Sequence, residues 1–296
     1  MTLHTLLPAD LREWVADQLS GLTSATDASW PRNDSRVWRV HSDTGAAFVK
    51  LSPTAADFAR EVRAYEYAAR TLADDEAPCL LAADPGLLAI MTSPLPGRVV
   101  RGLTLEAEEE HRVHELAGRL LSRWHGHSTL GTVRTRESVG ASMAGQADEA
   151  GACLERIAEH LTDAQRALVQ RVTRELPQLA ERLPTVFRHG DYSPRNWLWD
   201  DENGTHSLID FEKSGHGIAV EDLVWLCGAL WPTRPDLKRA FLTGYGRKLS
   251  STEQQVLLLL TARLAVSYLH AGSTKHEPVL VERGRTVLAD LVRTCG

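Results

Sequence analysis

Cysteine is scarce in this sequence, and its spacing excludes two classes of protein. The 296 residues include four cysteines, and no two of them stand in a C-x-x-C arrangement. Isolated thiols of this kind provide neither the disulfide framework of a small secreted protein nor a thiolate site for a metal ion. A reducing environment suits such a chain, and we therefore expect a cytoplasmic protein.

A surplus of positive charge and a long apolar run are also missing. The 33 lysine and arginine residues against 39 aspartate and glutamate residues give a net charge of −6, which offers no basic surface to nucleic acid or an anionic membrane. No apolar run approaches the roughly 18 residues that span a bilayer, and the start, MTLHTLLPADLREW, does not resemble a signal peptide. With 43% hydrophobic residues, we expect a soluble, unprocessed protein with a substantial core and without nucleic acid or membrane partners.

The first third of the chain predicts a small β-rich region. The stretch VWRVHSDTGAAFVKL has two β-like runs around the turn sequence SDTG, and Lys50 lies at its end between two apolar residues. The stretch TAADFAREVRAYEYAARTLA follows with apolar residues at helical spacing and with Glu61 in its early turns. A buried strand within LLAIMTSPLPG then ends in a break rich in proline and glycine. This break predicts a boundary between two lobes near residue 95.

Beyond this break the pattern is mostly helical. Thr162 with Gln165 forms a capping-box signal, and Ser250 begins another. One short hairpin interrupts the helices, because NWLWD and HSLIDF are β-like and the turn sequence DENG lies between them. The sequence thus predicts an α+β protein of two lobes, a small β-rich lobe over residues 1–95 and a larger, mostly helical lobe over residues 96–296.

Three polar side chains flank this predicted hairpin. Asp191 lies in the loop before its first strand, Asn196 follows five positions later, and Asp210 ends its second strand. Oxygen ligands of this kind suit Mg²⁺, although aspartate and asparagine are also common in turns for local reasons. Together with the hairpin lysine and the helical glutamate, they supply what phosphoryl transfer needs, which is positioning and charge neutralisation around a phosphate.

In this order, the residues resemble those of a known family. HGDYSPRN followed by LIDFE is similar to the catalytic loop and metal-binding aspartate of the aminoglycoside phosphotransferase and choline kinase family, whose fold is like that of the protein kinases. AAFVKL and AREVRAYEYAA resemble the lysine strand and the glutamate helix of that family. The resemblance extends from about Asn33 to Asp222 and implies a bilobal, protein-kinase-like fold and an ATP-dependent small-molecule kinase.

The resemblance also implies a role for each of these residues. Asp191 would orient the acceptor hydroxyl and accept its proton, or act mainly by positioning it. Asn196 and Asp210 would hold Mg²⁺ on the nucleotide phosphates, and Lys50, paired with Glu61, would contact the α- and β-phosphates. The alternatives are a solvated strand lysine at position 50 and, at position 61, a glutamate that is solvated or paired with a neighbouring arginine.

The remaining nucleotide contacts are implied by position in the family pattern. The hinge MTSPL, which begins at Met91, would lend the Ser93 carbonyl and the Leu95 amide to adenine, since the proline between them has no N–H to donate. The loop SWPRNDSRVW, which would cover the phosphates, has no glycine. Contacts there would come from Asn33, Ser35 and local backbone donors.

Four more residues have roles that the sequence leaves open or structural. Ser193 stands where protein kinases carry a lysine, and Arg195 stands where relatives often have glycine, so it would pair with a local acid or contact the acceptor. His189 is a structural residue of the loop or, alternatively, a general base. Asp222 resembles a family aspartate that braces the catalytic loop.

A group of histidines beyond the break suggests a metal site or, as the favoured interpretation, a solvated helix face. His111, His114 and Glu115 lie near His125 and His127 in the sequence. Because the chain contains 12 histidines, such clustering carries little weight. We therefore expect a solvated helix face here.

The acceptor is the least defined part of the site. A polycationic acceptor needs carboxylates, since its ammonium groups must exchange water for protein partners. The candidates are Asp148, Glu149, Glu155 and Glu212, each of which can also be merely solvated. Glu212, two positions after Asp210, can reach the metal site, the acceptor or solvent.

The leading hypothesis is an O-phosphotransferase that uses ATP and Mg²⁺ to inactivate a cationic antibiotic, an aminoglycoside or a basic cyclic peptide such as a tuberactinomycin. The alternatives are a metabolic kinase for choline, a thiosugar or homoserine, a non-catalytic nucleotide-binding regulator, and a metal-dependent hydrolase. The hydrolase leaves the lysine, the helical glutamate and the hinge unexplained. We expect a monomer or a homodimer.

Overall fold

A five-stranded antiparallel sheet occupies the amino-terminal part of the computed structural model, which describes residues 7–29, 36–127 and 132–295. Its strands are β1 (Leu22–Asp27), β2 (Val37–Ser42), β3 (Gly45–Leu51), β4 (Leu80–Asp84) and β5 (Ala89–Thr92), in the order β1-β2-β3-β5-β4. The hairpin β2–β3 is the one that the sequence predicts. Helix α1 (Ala9–Gln18) packs on this sheet through Leu11 and Val15, which share a core with Val49 and Met91.

Helix α2 (Ala55–Thr71) follows the hairpin, as the apolar spacing predicts. The Thr54 side chain accepts a hydrogen bond from the Asp57 amide at 3.1 Å, which caps the first turn. Phe58, Tyr65 and Ala68 are among its buried residues. These residues form one face of the helix, and Glu61 is buried on that same face. The packing of its apolar neighbours therefore fixes the position of Glu61.

A second, three-stranded sheet belongs with this amino-terminal part although much of it comes from late in the sequence. It contains β6 (Arg98–Val99), β8 (Trp197–Asp200) and β9 (Thr205–Leu208), in the order β6-β8-β9. The Val100 amide donates to the Trp197 carbonyl at 2.9 Å, and the Leu208 amide donates to the Glu76 carbonyl at 2.8 Å. Through such bonds, Met1–Leu103 and Pro194–Gly215 form one compact unit. The sequence predicted one boundary between the lobes near residue 95. In the structure, Pro194–Gly215 return to the amino-terminal unit, so the division of the chain has more than one boundary.

The second unit, Thr104–Ser193 with His216–Gly296, is mostly helical. Its helices are α3 (Ala107–Gly126), α4 (Val133–Ile157), α5 (Asp163–Ala180), α6 (Val224–Ala229), α7 (Pro235–Tyr245), α8 (Ser251–Lys275) and α9 (Pro278–Cys295). Strands β7 (Thr185–Arg188) and β10 (Gly215–Ile218) pair as a small two-stranded sheet. Thr162 with Gln165 caps α5, and Ser250 with Glu253 caps α8, so both predicted capping boxes are present.

Two glycines allow helices α3 and α7 to approach more closely than side chains would permit. A Cβ atom on Gly118 of α3 would lie 2.1 Å from the Phe241 carbonyl oxygen of α7. A Cβ atom on Gly244 of α7 would lie 1.8 Å from the Glu115 carbonyl oxygen of α3. Backbone atoms therefore meet directly at this crossing, which brings the side chains beside it within reach of one another.

Helix α8 corrects one expectation from the sequence. By length and composition it is apolar enough to cross a membrane, whereas no segment of that kind was expected. Within its most apolar stretch, 56% is buried inside the protein, where it packs against α4, α5, α6 and α9. A buried core helix meets the same length and composition criterion, because its faces are covered by other helices.

Candidate active site

Lys50 lies at the centre of a cluster of carboxylates in the first unit. Its Nζ atom is 3.0 Å from Glu61 Oε1, 3.1 Å from Asp210 Oδ1 and 3.0 Å from Glu212 Oε2. The three acids come from α2 and from the segment that follows β9. The structure therefore brings together three residues that the sequence assigned to nucleotide and metal binding, and it adds Glu212 to them.

The alternation of strand β3 explains why Lys50 points into this cluster. Ala47 and Val49 are fully buried in the core that α1 covers, so Lys50 faces the opposite side of the sheet. Its side chain is only 18% exposed, and that of Glu61 is 1% exposed. The interpretation of Lys50 as a solvated lysine is wrong, and so is the pairing of Glu61 with a neighbouring arginine.

Burial and charge shift the pKa values of the pair in the same direction. Burial raises the pKa of Glu61 to about 7, with help from the negative charges of Asp210 and Glu212 and against the lowering effect of Lys50. Burial alone would lower the pKa of Lys50, but the three carboxylates around it raise that pKa above its ordinary value. Lys50 therefore remains an ammonium group at any physiological pH.

Asn196 and Asp210 lie on the two segments at the open end of the β8–β9 hairpin. Trp197 pairs with Leu208 in the register of the two strands, and the Ile209 amide donates to the Asn196 carbonyl at 3.0 Å. Strand β9 ends at Leu208, so Asp210 does not end a strand as the sequence suggested. It adopts a left-handed backbone with φ of 63°, which turns the chain at this point and is tolerated by aspartate.

Asp210 and Asn196 carry the kinds of oxygen atom that a hard divalent cation binds. Carboxylate and amide oxygens are the ligands that Mg²⁺ prefers, and this ion commonly binds through one or two carboxylates together with phosphates and water. Glu61 Oε2 is buried without a hydrogen-bond partner in the part of the chain that the structure describes. Within residues 7–29, 36–127 and 132–295, no three histidine, cysteine or acidic side chains form a complete metal site. The assignment of Mg²⁺ to Asp210 and Asn196 remains a prediction.

The predicted hinge follows strand β5. Met91 is buried and pairs with Val49 across the sheet. The Ser93 amide donates to the Cys79 carbonyl at 2.9 Å, and the Cys79 amide donates to Ser93 Oγ at 2.9 Å. These bonds fix the end of the strand where the two predicted adenine contacts, the Ser93 carbonyl and the Leu95 amide, are located.

The predicted phosphate-covering contacts cannot be placed in the same way. Asn33 and Ser35 lie outside the described residues. Their roles remain predictions.

In the second unit, Asp222 holds the backbone of the predicted catalytic loop. Its Oδ2 atom accepts from the His189 amide at 2.8 Å, and its Oδ1 atom accepts from the Gly190 amide at 2.7 Å. Gly190 has φ of 85°, in the left-handed region that favours glycine. Asp191 comes directly after these two residues, so the Asp222 contacts fix the backbone position of Asp191. This is the bracing role that the family resemblance implied for Asp222.

His189 is part of the scaffold of this loop. It is fully buried, and its Nδ1 atom accepts from the Asp191 amide at 3.3 Å. Its ring packs against Trp124 of α3, with centroids 6.1 Å apart, and against Tyr192 at 5.6 Å. The Tyr192 hydroxyl donates to the Ala117 carbonyl of the same helix. Helix α3 therefore supports the loop at several points.

The sequence missed His125, which supports the loop through Asp222. Its Nε2 atom lies 3.0 Å from Asp222 Oδ2, and it is buried, as is His114. The expectation of a solvated helix face was therefore wrong for these two histidines, whereas His127 is exposed and His111 is partly exposed. The signal that could have found them is the helical spacing of the buried positions 114, 118, 121 and 125.

The predicted acceptor carboxylates separate into two groups. Glu212 contacts Lys50 in the first unit, and its side chain is 13% exposed, so it does not face solvent. The other three lie on α4 of the second unit and are exposed. Glu149 there pairs with Arg263 of α8, whereas Asp148 and Glu155 have exposed side chains available to a ligand.

Comparison with known proteins identifies the family. The profile described as APH, phosphotransferase enzyme family, matches residues 30–259. The chain therefore belongs to the phosphotransferase enzyme family, which confirms the predicted family and the predicted class of enzyme, a small-molecule kinase. No curated protein sequence matches the chain.

Solved structures are similar in fold over nearly the whole chain. The streptomycin–ATP ternary complex of APH(2")-IIa has a TM-score of 0.67 and 15% identity, covering 96% of both chains. Spectinomycin phosphotransferase APH(9)-Ia, in complex with ADP and spectinomycin, has a TM-score of 0.61 and 14% identity, covering 95% of this chain and 92% of that chain. Macrolide 2'-phosphotransferase MphH from Brachybacterium faecium has a TM-score of 0.59 and 17% identity, covering 95% and 98%. These similarities confirm the predicted protein-kinase-like fold.

Proposed function

We propose that this protein is an ATP-dependent O-phosphotransferase that modifies a hydroxyl group of a small cationic antibiotic and so confers resistance. The convergence of Lys50, Glu61 and Asp210 carries this proposal, since phosphoryl transfer needs these residue types and they lie far apart in the sequence. A purely structural role is a poor account of three carboxylates around one buried lysine, because burying charge costs free energy.

Lys50 is the residue that contacts the α- and β-phosphates. Glu61 holds its ammonium group in place from α2, and the strong burial of Glu61 prevents the pair from separating into solvent. The Ser93 carbonyl accepts a hydrogen bond from adenine and the Leu95 amide donates one to it, next to Met91. Binding of phosphates replaces part of the carboxylate contacts of Lys50 with contacts to the nucleotide.

Asp210 and Asn196 are the residues that would hold Mg²⁺. When bound, this ion neutralises charge on the transferring phosphoryl group. If Asp210 bound the ion in place of Lys50, Glu61 and Glu212, each 3.0 Å from Nζ, would remain as partners of the ammonium group. Lys50 would thus keep carboxylate partners whether or not Asp210 binds a metal ion.

Asp191 is the residue that orients the acceptor hydroxyl and accepts its proton. Its protein neighbours support this role, because Asp222 fixes the two amides that precede it. A carboxylate held in this way can meet a hydroxyl in one defined geometry, which is the main contribution a protein makes to phosphoryl transfer.

The acceptor class is supported by three observations of different kinds. The similar structures carry the names of streptomycin, spectinomycin and macrolide modification. The net charge of −6 attracts a cation at long range. Asp148 and Glu155 on α4 offer exposed carboxylates, and Glu149 would exchange its partner Arg263 for a ligand. We place the enzyme in the cytoplasm, where ATP and Mg²⁺ are supplied, as a monomer or a homodimer.

The test is ADP release by the purified protein with ATP, Mg²⁺ and a panel of acceptors. The panel contains aminoglycosides, spectinomycin, tuberactinomycin peptides, macrolides, choline and thiosugars, and mass spectrometry identifies any phosphorylated product. Expression in a sensitive host should raise the inhibitory concentration of the antibiotic that is modified. Asp191→Asn should remove both effects, whereas Asp201→Asn, on the exposed turn between β8 and β9, should leave them intact.

Other outcomes favour other functions. Robust phosphorylation of choline or a thiosugar, without protection against any antibiotic, would identify a metabolic kinase. Tight binding of ATP without transfer to any acceptor would identify a regulator.

A further inference from the structure

An arginine just before the catalytic loop carries a hydrogen-bond donor that the protein does not use. Arg188 ends strand β7, three positions before Asp191, and its side chain is 24% exposed. Its Nε atom is buried and has no hydrogen-bond partner among the residues that the structure describes. Because a buried donor without a partner costs free energy, the place of this guanidinium group in the fold needs an explanation.

Glu221 compensates the charge of Arg188 but does not take up its donor. Arg188 Nε and Glu221 Oε2 are 3.5 Å apart, which is close enough for an ion pair and too far for a good hydrogen bond. The carboxylate has other donors, since Oε2 accepts from the Ile218 amide at 2.9 Å and Oε1 accepts from Gln146 Nε2 at 3.4 Å. Burial raises the pKa of Glu221, and the charge of Arg188 opposes that rise. The carboxylate is thus bonded elsewhere, and the guanidinium group keeps donors for another partner.

A glycine on the neighbouring strand leaves room for this pair. Strand β7 pairs with β10, which contains Gly217. A Cβ atom on Gly217 would lie 2.5 Å from Arg188 Cδ and Nε and 2.3 Å from Glu221 Oε2. Any side chain at position 217 would therefore displace the guanidinium group from its present place.

The pair connects the strand that leads into the catalytic loop with the helix of the proposed acceptor carboxylates. Arg188 is followed by His189, Gly190 and Asp191, whereas Gln146, which donates to Glu221, belongs to α4. Helix α4 also carries the exposed carboxylates that we assigned to the acceptor. Arg188 therefore lies in the part of the second unit where the proposed acceptor has to bind.

We propose that Arg188 binds an uncharged oxygen of the acceptor, a carbonyl or hydroxyl group, and so helps to determine which acceptors are phosphorylated. A guanidinium group presents its N–H groups as a rigid planar fork that suits oxygen acceptors. Because Glu221 already compensates the positive charge, an anionic group would also meet the Glu221 carboxylate and be repelled. The acceptor that fits this unit carries ammonium groups for α4 and a carbonyl or hydroxyl oxygen for Arg188. The inference rests on the proposed function for the reaction and adds to it a group that the site recognises.

The kinetic test is Arg188→Met, which keeps the length of the side chain and removes its donors. The acceptor KM should rise about 10- to 100-fold, the usual loss of a hydrogen bond to a charged group. The kcat and the KM for ATP should change little, because the lost contact binds the ground state and the transition state alike. Arg188→Lys keeps the charge without the planar fork and should also raise the acceptor KM. The matched control is Arg171→Met on α5, whose guanidinium group pairs with Glu175.

A double variant separates acceptor binding from a purely structural ion pair. Arg188→Met leaves the Glu221 carboxylate buried without its cation, so urea unfolding should show a loss of stability. Adding Glu221→Gln removes that charge and should restore the stability but not the acceptor KM, and this double variant also covers the case in which Arg188→Met does not fold. Recovery of both values in the double variant would overturn the role in acceptor binding.

A second measurement does not require the acceptor to be known. The NMR signal of the Arg188 Nε–H group, assigned by its absence from Arg188→Lys, should shift when the wild-type protein is titrated with acetamide, a neutral carbonyl probe. Acetate should shift it much less, because Glu221 repels an anion. The Arg171 signal is the reference, since both oxygens of Glu175 already accept from that guanidinium group. A signal of Arg188 that responds to neither probe, or to acetate alone, would overturn the inference.

The two measurements also separate this inference from the proposed function. A response of Arg188 to acetamide, in a protein that phosphorylates none of the acceptors in the panel, would keep the oxygen-binding site and contradict the proposed function. Transfer to a cationic antibiotic with the same acceptor KM in the wild type and in Arg188→Met would keep the proposed function and overturn the role of Arg188. A rise in the KM for ATP alone would overturn that role as well.

Discussion

Lys50 Nζ and Glu61 Oε1 lie 3.0 Å apart, and the carboxylate of this pair is far more buried than the ammonium group, at 1% against 18% exposure. The glutamate therefore depends on the lysine for its charge compensation, while the lysine has two further acidic partners. Because burial is unequal, removing the lysine leaves a buried charge without a cation, whereas removing the glutamate leaves a lysine that is still paired.

The stability of the protein should depend on pH through Glu61. Its pKa is raised from 4.5 to about 7 in the folded state, so the folded protein binds this proton more tightly than the unfolded chain. The stabilisation is fully present below pH 4.5 and is lost as the pH rises through about 7. Urea unfolding between pH 4.5 and 8 should show that Glu61→Gln has a flatter profile than the wild type.

The control for this measurement is Glu66→Gln on the exposed face of the same helix, which should keep the wild-type profile. Identical slopes for Glu61→Gln and the wild type would contradict the raised pKa.

Asp191→Asn should nearly abolish phosphoryl transfer. Loss of a group that accepts a proton and positions the hydroxyl costs about two to four decades in rate, whereas nucleotide binding should survive because the nucleotide residues lie elsewhere in the chain. Steady-state kinetics and calorimetric titration with MgATP give the two values separately. Near-normal turnover by a folded Asp191→Asn protein would refute the assignment.

Asp210→Ala should abolish Mg²⁺-dependent binding of ATP. The substitution removes an oxygen ligand from an ion that has to neutralise phosphate charge. Asn196→Ala should raise the Mg²⁺ concentration that half-maximal binding needs, and Lys50→Ala should weaken placement of the phosphates more than contact with adenine. Calorimetry with and without Mg²⁺ measures each effect, with Asp201→Ala as the control. Wild-type binding of MgATP by Asp210→Ala would place the metal elsewhere.

The acceptor KM should rise with salt if the acceptor is polycationic. Exposed carboxylates attract it through long-range interactions, and these weaken as the Debye length falls to about 8 Å at physiological ionic strength. Initial rates at several NaCl concentrations test this, with KM for ATP followed in the same samples as the reference. A KM that does not change with salt would argue for an acceptor with little charge.

Gly118→Ala should destabilise the second unit by about 3 kcal/mol, at the upper end for overpacking. The added methyl group would lie 2.1 Å from the Phe241 carbonyl oxygen, which is backbone and has no rotamer to change. The matched control is Gly145→Ala in α4, where a Cβ atom meets nothing within 4 Å. There the substitution should stabilise the helix by about 1 kcal/mol. Thermal or urea unfolding of the two variants decides the comparison.

Much of the fold was predictable because its signals are local. Thr162 and Ser250 carry their capping partners three residues away, and the β2–β3 hairpin is specified by its own turn sequence. The family pattern placed Lys50, Glu61 and Asp210 in one site, and the structure brings these side chains together.

The parts that were not predicted depend on contacts between distant segments. The His125–Asp222 bond joins residues 97 positions apart, and no local pattern encodes that distance. The position of Glu212 on Lys50 depends on the left-handed turn at Asp210, which single-sequence patterns do not specify for aspartate. The grouping of Pro194–Gly215 with the amino-terminal unit likewise follows from backbone bonds to Val100 and Glu76.

The carboxylates around Lys50 also bear on the order in which ligands arrive. Three carboxylates surround one ammonium group, so the site carries a net negative charge. A nucleotide that arrives without a metal ion adds its own negative charge and is repelled. A nucleotide that arrives as its magnesium complex brings the cation that Asp210 needs. Free ATP should therefore be a weak competitor of MgATP, and after transfer ADP should leave together with its metal.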